Sequence, residues 1–293
     1  MSASPNWSLF AAALAVAVAF LLMSARASER LLLDAAGEPT SRQPVGRAGE
    51  DDQAALASRD DATGAPAAGE DPDGVVDETD RSPGIDATAD PSPGATGVAA
   101  LTTEELLLNA GFSQALLGAV VVAAVWFARI PPSALGLAEL PTATLATGVG
   151  LGLGLAAANE VTAGLAERLG IDHDERLRTL LAPDSGRGWV ILLAGVLPLV
   201  AGVEELIFRG AVIGALSTGF GFSPWALAVV SSVLFGLGHT AQGRGGVAVT
   251  TGLGFVLAAA FILTGSLVVV VVAHYLVNAM EFVVHEGLGR DPI

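Results

Sequence analysis

The sequence predicts an all-α, polytopic integral membrane protein, a helical bundle with about seven transmembrane helices. Of its 293 residues, 52% are hydrophobic and only 15% are charged, and the mean hydropathy is +0.60. A soluble domain carries about 25% charged residues. The apolar residues are also gathered into separate runs, most of them near the length that crosses ~30 Å of hydrocarbon. A soluble globular fold is therefore excluded for most of the chain.

Seven apolar runs give the predicted spans. In chain order they are Trp7–Met23, Ala110–Phe127, Thr142–Ala163, Trp189–Leu216, Pro224–Gly238, Val247–Leu263 and Leu267–Val284. We divide the chain into an N-terminal transmembrane anchor, residues 1–25, a linker, residues 26–106, and a membrane domain, residues 107–293. Within that domain, glycines at 148, 150, 152 and 154 form two overlapping G-x-x-x-G patterns, which predict close helix packing.

The first span has two interpretations. Ala25-Arg26-Ala27 fits the small-x-small cleavage site of a signal peptide. However, no Arg or Lys precedes the span, whereas Arg26 and Arg30 follow it. This arrangement favours an uncleaved anchor with its N-terminus outside the cell.

The linker differs in composition from the rest of the chain. Between Arg26 and Ala100 there are 16 Asp or Glu and 6 Arg, amid Gly, Pro, Ser and Ala. Such a segment cannot bury enough apolar surface to offset its chain entropy, so we predict a disordered acidic segment. An arm that binds cations or a partner is the alternative.

The charged residues also predict a compartment and a topology. If the spans alternate, the loops after Phe127, Leu216 and Leu263 share one face, which carries Arg129 alone. The opposite face holds six arginines: Arg168, Arg176, Arg178, Arg187, Arg244 and Arg290. The positive-inside rule places that face, the acidic segment and the C-terminus in the cytoplasm of a multi-pass cell-membrane protein.

The sequence contains neither Cys nor Lys. The absence of Cys excludes disulfides, thiol catalysis and Cys-ligated metals. Every one of the 14 basic residues is Arg, set against 30 Asp and Glu, for a net charge of −16. An acidic surplus without Lys resembles the halophilic composition of archaeal proteins.

Three motifs place ionisable side chains inside apolar runs, where an ionised group costs several kcal/mol. They are Glu204-Glu205-Leu206-Ile207-Phe208-Arg209-Gly210, Phe235-Gly236-Leu237-Gly238-His239 and His274-Tyr275-Leu276-Val277-Asn278. At a helical rise of ~1.5 Å per residue, all three motifs reach the middle of the membrane. Glu205 and Arg209 are four residues apart, so they can pair on one helix face.

The pattern E-E-x-x-x-R, F-x-x-x-H, H-x-x-x-N resembles the CPBP family of intramembrane endopeptidases, which includes the type II CAAX prenyl proteases and Abi-like proteins. The resemblance implies a hydrolase that cuts membrane-associated, prenylated CAAX-type proteins near the C-terminus. It implies that Glu204 is the general base, that His239 helps it to hold water, and that His274 and Asn278 donate to the oxyanion. Glu205, Arg209 and Phe235 support them.

The resemblance also implies a mechanism without a cofactor. The expected partners are the lipid bilayer and a membrane-associated protein or peptide, and no nucleic acid is expected.

Several alternatives stay open. Glu204, His239 and His274 could bind zinc with an open fourth position. The protein could also be a non-catalytic membrane scaffold, an immunity or regulatory protein that sequesters a partner. Buried Glu and His could instead form the proton relay of a transporter.

Overall fold

A computed structural model describes residues 4–35, 102–137, 142–168 and 176–289. These residues form helices connected by short turns, with no β-strand among them. The all-α class predicted from the sequence is confirmed. The greater part of the predicted acidic segment lies outside the described residues.

The described residues form eight helices, numbered here α1 to α8. In chain order they are α1 (Trp7–Ala35), α2 (Thr103–Ala128), α3 (Thr142–Arg168), α4 (Arg176–Leu181), α5 (Gly186–Phe220), α6 (Pro224–Leu237), α7 (Gly243–Thr264) and α8 (Leu267–Gly287). Short 3₁₀ turns, Pro132–Leu135 and Thr240–Gln242, follow α2 and α6. By length and composition, α1, α2, α5, α8 and a segment that contains α7 can each cross a membrane. Helix α6 is apolar but shorter, and α3 is not among these five, so the count of seven spans stays a prediction.

The first described residues and three turns lie together at one end of the bundle. The Asn6 amide donates to the Ala128 carbonyl at 2.8 Å, and the Leu267 amide donates to the Gly136 carbonyl at 3.0 Å. The Trp7 indole covers Gly219 near the end of α5. The turns after α2, α5 and α7 therefore lie on one face of the bundle, as alternating spans require.

Helix α5 is not a uniform α-helix. It contains two π-helical segments, Ile191–Val196 and Leu206–Ala215, on either side of a regular α-helical stretch. The i→i+5 pairing of a π-helix widens the turn and often marks a functional site. The Ser231 hydroxyl of α6 donates to the Phe208 carbonyl within the second segment at 2.7 Å. The second segment carries Arg209 and begins directly after the two glutamates.

Close packing positions the neighbours of α5 and α8. A Cβ on Gly118 of α2 would lie 2.7 Å from Val203 Cγ2, so this glycine lets α2 approach α5. Gly148 and Gly152 of α3 pack equally closely on α8, whereas Gly150 and Gly154 face open space. Only one of the two predicted G-x-x-x-G patterns therefore packs a helix, because the other lies on the opposite face of α3.

Candidate active site

Glu205 is the centre of a buried ionic cluster. Its Oε1 accepts a hydrogen bond from Arg209 Nη1 at 2.8 Å and another from His274 Nδ1 at 2.8 Å. Glu205 and Arg209 are fully buried and His274 is nearly so. The pair expected from the i, i+4 spacing is present, and His274 of α8 joins it.

Arg209 connects the cluster to two further helices. Its Nη2 donates to the Gly254 carbonyl of α7 at 2.9 Å, and its guanidinium carbon lies 4.6 Å from the centre of the Phe235 ring. A Cβ on Gly254 would lie 3.1 Å from Phe235 Cδ1, so a larger residue would push the two helices apart. Sequence reasoning missed Gly254, because one glycine in an apolar run carries no signal of a carbonyl acceptor.

Glu204 lies beside this cluster and has no equivalent bond. Its residue is 8% exposed, and its Oε2 is buried with no hydrogen-bond partner among the described residues. His274 Nε2 lies 3.8 Å from this oxygen, which is too far for a direct hydrogen bond. The Glu204 side chain therefore keeps its acceptor capacity, although Glu205 Oε2 is likewise buried without a hydrogen-bond partner among the described residues.

The charges of the cluster require one additional proton. Glu205 and Glu204 bring two negative charges, and Arg209 brings one positive charge. Because a carboxylate only accepts, His274 Nδ1 must carry the hydrogen that bonds Glu205. A second hydrogen, on His274 Nε2 or on Glu204, makes the buried group neutral, and an unbalanced charge there is costly.

Phe235 lies between the two histidines. Its ring centre is 4.7 Å from that of His239 and 5.7 Å from that of His274. His239 Nδ1 donates to the Phe235 carbonyl at 2.7 Å, which leaves Nε2 of the neutral ring as an acceptor. His239 makes no hydrogen bond to Glu204 within the described residues. Phe235 thus packs against both His239 and His274.

Asn278 follows His274 by one turn of α8. It is half-buried, and its side chain forms no hydrogen bond with the described part of the chain. The alternative zinc shell is not assembled: across the described residues, no three or more His, Asp or Glu side chains are grouped as metal ligands. Glu204, His239 and His274 are therefore not gathered into one ligand set here.

A second polar network lies where α8 ends, and we call it the α8-end network. Arg178 of α4 donates to Glu286 at 2.9 Å and to Glu281 at 3.4 Å. His285 Nε2 lies 3.0 Å from Glu160 Oε1 of α3. The network joins three helices and contains none of the motif residues.

Comparison with known proteins gives a family-model match to part of the chain. Residues 186–280 match the family model described as type II CAAX prenyl endopeptidase Rce1-like, and this segment holds all three motifs. The match supports the CPBP family and, at that level, a CAAX-type intramembrane protease. No curated protein and no solved structure matches the chain. Helices α1 to α4 lie outside the matched segment.

Proposed function

We propose that this protein, whose Rce1-like segment supports the CPBP family, is an intramembrane endopeptidase that hydrolyses peptide bonds near the C-terminus of membrane-associated proteins. Prenylated CAAX-type proteins are the substrate class that follows from the family match. The nucleophile is water activated by Glu204, and the reaction uses no cofactor. In this proposal the N-terminus lies outside the cell, with the acidic segment and the C-terminus in the cytoplasm.

The observation that carries the proposal is the contrast between two adjacent carboxylates. Oε2 of each residue is buried without a hydrogen-bond partner among the described residues, but Glu205 is held by two hydrogen bonds to its Oε1, from Arg209 and His274, whereas Glu204 makes none. A carboxylate that is buried without a hydrogen-bond donor costs stability, and such a group within a membrane helix usually marks a functional site. A scaffold that only sequesters a partner gains nothing from this arrangement.

Glu204 begins the proposed reaction by removing a proton from a water molecule. The water oxygen then attacks the carbonyl carbon of the scissile peptide bond, and its C–O bond forms as the carbonyl π bond opens. His239 contributes Nε2 as a second acceptor for the same water, because its Nδ1 is already bonded to the Phe235 carbonyl. General-base catalysis of this kind contributes about 10²–10⁴ in rate.

The carbonyl oxygen becomes an oxyanion that needs hydrogen-bond donors. His274 donates from Nε2, which requires an imidazolium because Nδ1–H already bonds Glu205. The Glu205 carboxylate stabilises that imidazolium. Before the reaction the charges of Glu204, Glu205, Arg209 and His274 sum to zero, and once Glu204 has taken the proton from water the oxyanion supplies the balancing negative charge. The Asn278 amide is the second donor. Such donors act on charge that appears only in the transition state.

The reaction ends when Glu204 returns its proton to the nitrogen of the leaving amine. The C–N bond breaks and the oxyanion reforms a carbonyl, which gives a carboxylic acid and an amine. The acid then passes its proton to the amine, so the released products are a carboxylate and an ammonium group. Glu204 is again ionised and ready for another water. Protons and charges balance without a metal ion or a redox step.

The test is a comparison of C-termini in membrane fractions from cells with the native chain and cells with Glu204→Gln. We expect a set of proteins to keep a longer C-terminus in the variant. The purified native protein should then cut a farnesylated peptide with a CAAX-type C-terminus. Mass spectrometry of both products measures this cleavage.

Glu160→Gln is the matched control, because Glu160 belongs to the α8-end network and lies outside the motifs. It should leave the C-termini as in native cells. Identical C-termini in native and Glu204→Gln cells, with no cleavage of the peptide by purified protein, would show that the protein is not this protease.

A further inference from the structure

The N-terminal helix is part of the same core as the motif residues. Four side chains of α1 at helical spacing are buried in one hydrophobic cluster: Phe10, Leu14, Ala17 and Val18. The cluster also contains Phe208 and Phe235, the two rings that pack edge to face at 5.2 Å. Helix α1 therefore supports Phe235, although it lies outside the segment that matches the family.

Helix α1 contacts Gly238, the residue directly before His239, through Leu21. A Cβ placed on Gly238 would lie 3.0 Å from Leu21 Cδ2, so a leucine methyl packs onto this glycine. Gly238 has φ −71° and ψ −12°, which any L-residue adopts. A Cβ there would also lie 3.2 Å from the Phe235 carbonyl oxygen, so Leu21 and the backbone of α6 both limit the space at this glycine, and its backbone conformation does not.

His239 lies in a turn, where its amide donates to the Gly236 carbonyl at 2.9 Å and its ring packs on Phe235. It follows the C-terminal end of α6 with φ −114° and ψ 27°, outside regular helical values. Its ring makes one hydrogen bond, to the Phe235 carbonyl, and the neighbouring Thr240 hydroxyl is buried without a partner within the described residues. The 3₁₀ turn Thr240–Gln242 also contacts α1.

We propose that α1 is a positioning element of the active site, in which Leu21 holds the Gly238–His239 segment so that His239 Nε2 faces the reacting water. The inference rests on the role proposed above for His239. A displacement of about 1 Å in a catalytic group can lower the rate ~100-fold, so one methyl contact is enough to matter. Helix α1 must then stay with the mature protein, because a cut after Ala27 would separate Leu21 from the membrane domain.

The test is a double-mutant cycle between Leu21 and Gly238. Leu21→Ala removes the contact, and we expect a fall in kcat of about 10- to 100-fold with KM unchanged. Leu21→Met should restore most of the rate, since Met fills a similar volume. Gly238→Ala crowds Leu21, and combining it with Leu21→Ala should recover part of the loss of either single variant. Phe20→Ala, on the exposed face of α1, is the matched control and should match the native protein.

A second measurement does not depend on turnover. Diethyl pyrocarbonate modifies accessible neutral imidazoles, and mass spectrometry gives the rate for each histidine. His239 should react severalfold faster in Leu21→Ala than in the native protein or Phe20→Ala, while His274 should react at an unchanged rate. This measurement tests the position of His239 even if the native protein cleaves no peptide, which would overturn only the proposed function.

The outcomes that overturn the inference are specific. One is an unchanged rate of His239 modification in a folded Leu21→Ala variant. Another is additivity of Leu21→Ala and Gly238→Ala in kcat. A third is a mature N-terminus after Ala27 in active protein isolated from membranes, measured by intact mass.

Discussion

The cluster around Glu205 and the α8-end network use the same kinds of side chain in different surroundings. The side chains of Glu205 and Arg209 are 0% exposed, and their distance is 2.8 Å. In the α8-end network, Arg178 is 13% exposed, and its partners are Glu281 at 3.4 Å, 37% exposed, and Glu286 at 2.9 Å, 17% exposed. Water cannot reach Glu205 or Arg209 to replace a lost partner. In the α8-end network, water can partly replace one.

This difference separates a structural use of charge from a chemical one. In the α8-end network, charged partners join α3, α4 and α8 near the end of the bundle, where water also solvates them. In the buried cluster, Glu205 balances Arg209 and His274, and the remaining negative charge falls on Glu204. In the proposed reaction Glu204 is the reactive carboxylate, and the ionic bonds of Glu205 balance the other buried charges around it.

The largest expected effect is on stability, from Arg209→Met. Removing the guanidinium leaves Glu205 as an unbalanced buried charge, and breaking such a pair typically costs ~3–5 kcal/mol. The free energy of unfolding in detergent, from denaturant titration, should fall by about that amount. The double variant Glu205→Leu with Arg209→Met should be clearly more stable than the single one. A fully stable Arg209→Met protein would show that the two residues are not a buried ion pair.

Asn278→Ala should change catalysis and leave folding intact. An oxyanion donor contributes ~2.7–4 kcal/mol, so turnover should fall ~10²–10³-fold with little change in KM. Steady-state kinetics with the farnesylated peptide measures both constants. A rise in KM alone would instead assign Asn278 to substrate binding.

The matched substitution in the α8-end network should have a small effect. Arg178→Met removes bonds to Glu281 and Glu286, but water reaches part of these side chains, so the loss should be clearly smaller than the ~3–5 kcal/mol expected for the fully buried pair. The same denaturant titration measures it beside Arg209→Met. Equal losses for the two arginines would contradict the distinction drawn between the two clusters.

Chelation should have no effect on the rate. Strong chelators should leave peptide cleavage by the purified protein unchanged, because the proposed steps use side chains alone. Inactivation that zinc reverses, together with one bound metal per chain that is lost in His239→Ala and His274→Ala, would instead support the zinc alternative.

Spacing within one helix predicted a substantial part of the site. The i, i+4 rule anticipated the contact between Glu205 and Arg209, and the order of the spans anticipated that the motifs of α5 and α8 meet. Such reasoning works because residues four apart share a helix face whatever the neighbours are.

The sequence did not predict which side chains of neighbouring helices contact each other. The bond from His274 to Glu205, the Gly254 carbonyl and the packing of Leu21 on Gly238 depend on how each helix is rotated against its neighbours. Packing sets that rotation, and the apolar periodicity of a membrane helix records it poorly because both core and lipid are apolar. The π-helical segment at Leu206–Ala215 was also not anticipated, since no residue type specifies it.

The most direct test of the central claim, that Glu204 is the general base, is single-turnover cleavage of the farnesylated peptide by purified Glu204→Gln protein. Glutamine keeps the shape of the side chain and cannot take up the proton. We predict a cleavage rate ~10²–10⁴-fold lower than in the native protein, with the same free energy of unfolding and the same affinity for the peptide. A folded Glu204→Gln protein that cleaves at a rate near that of the native chain would contradict the account.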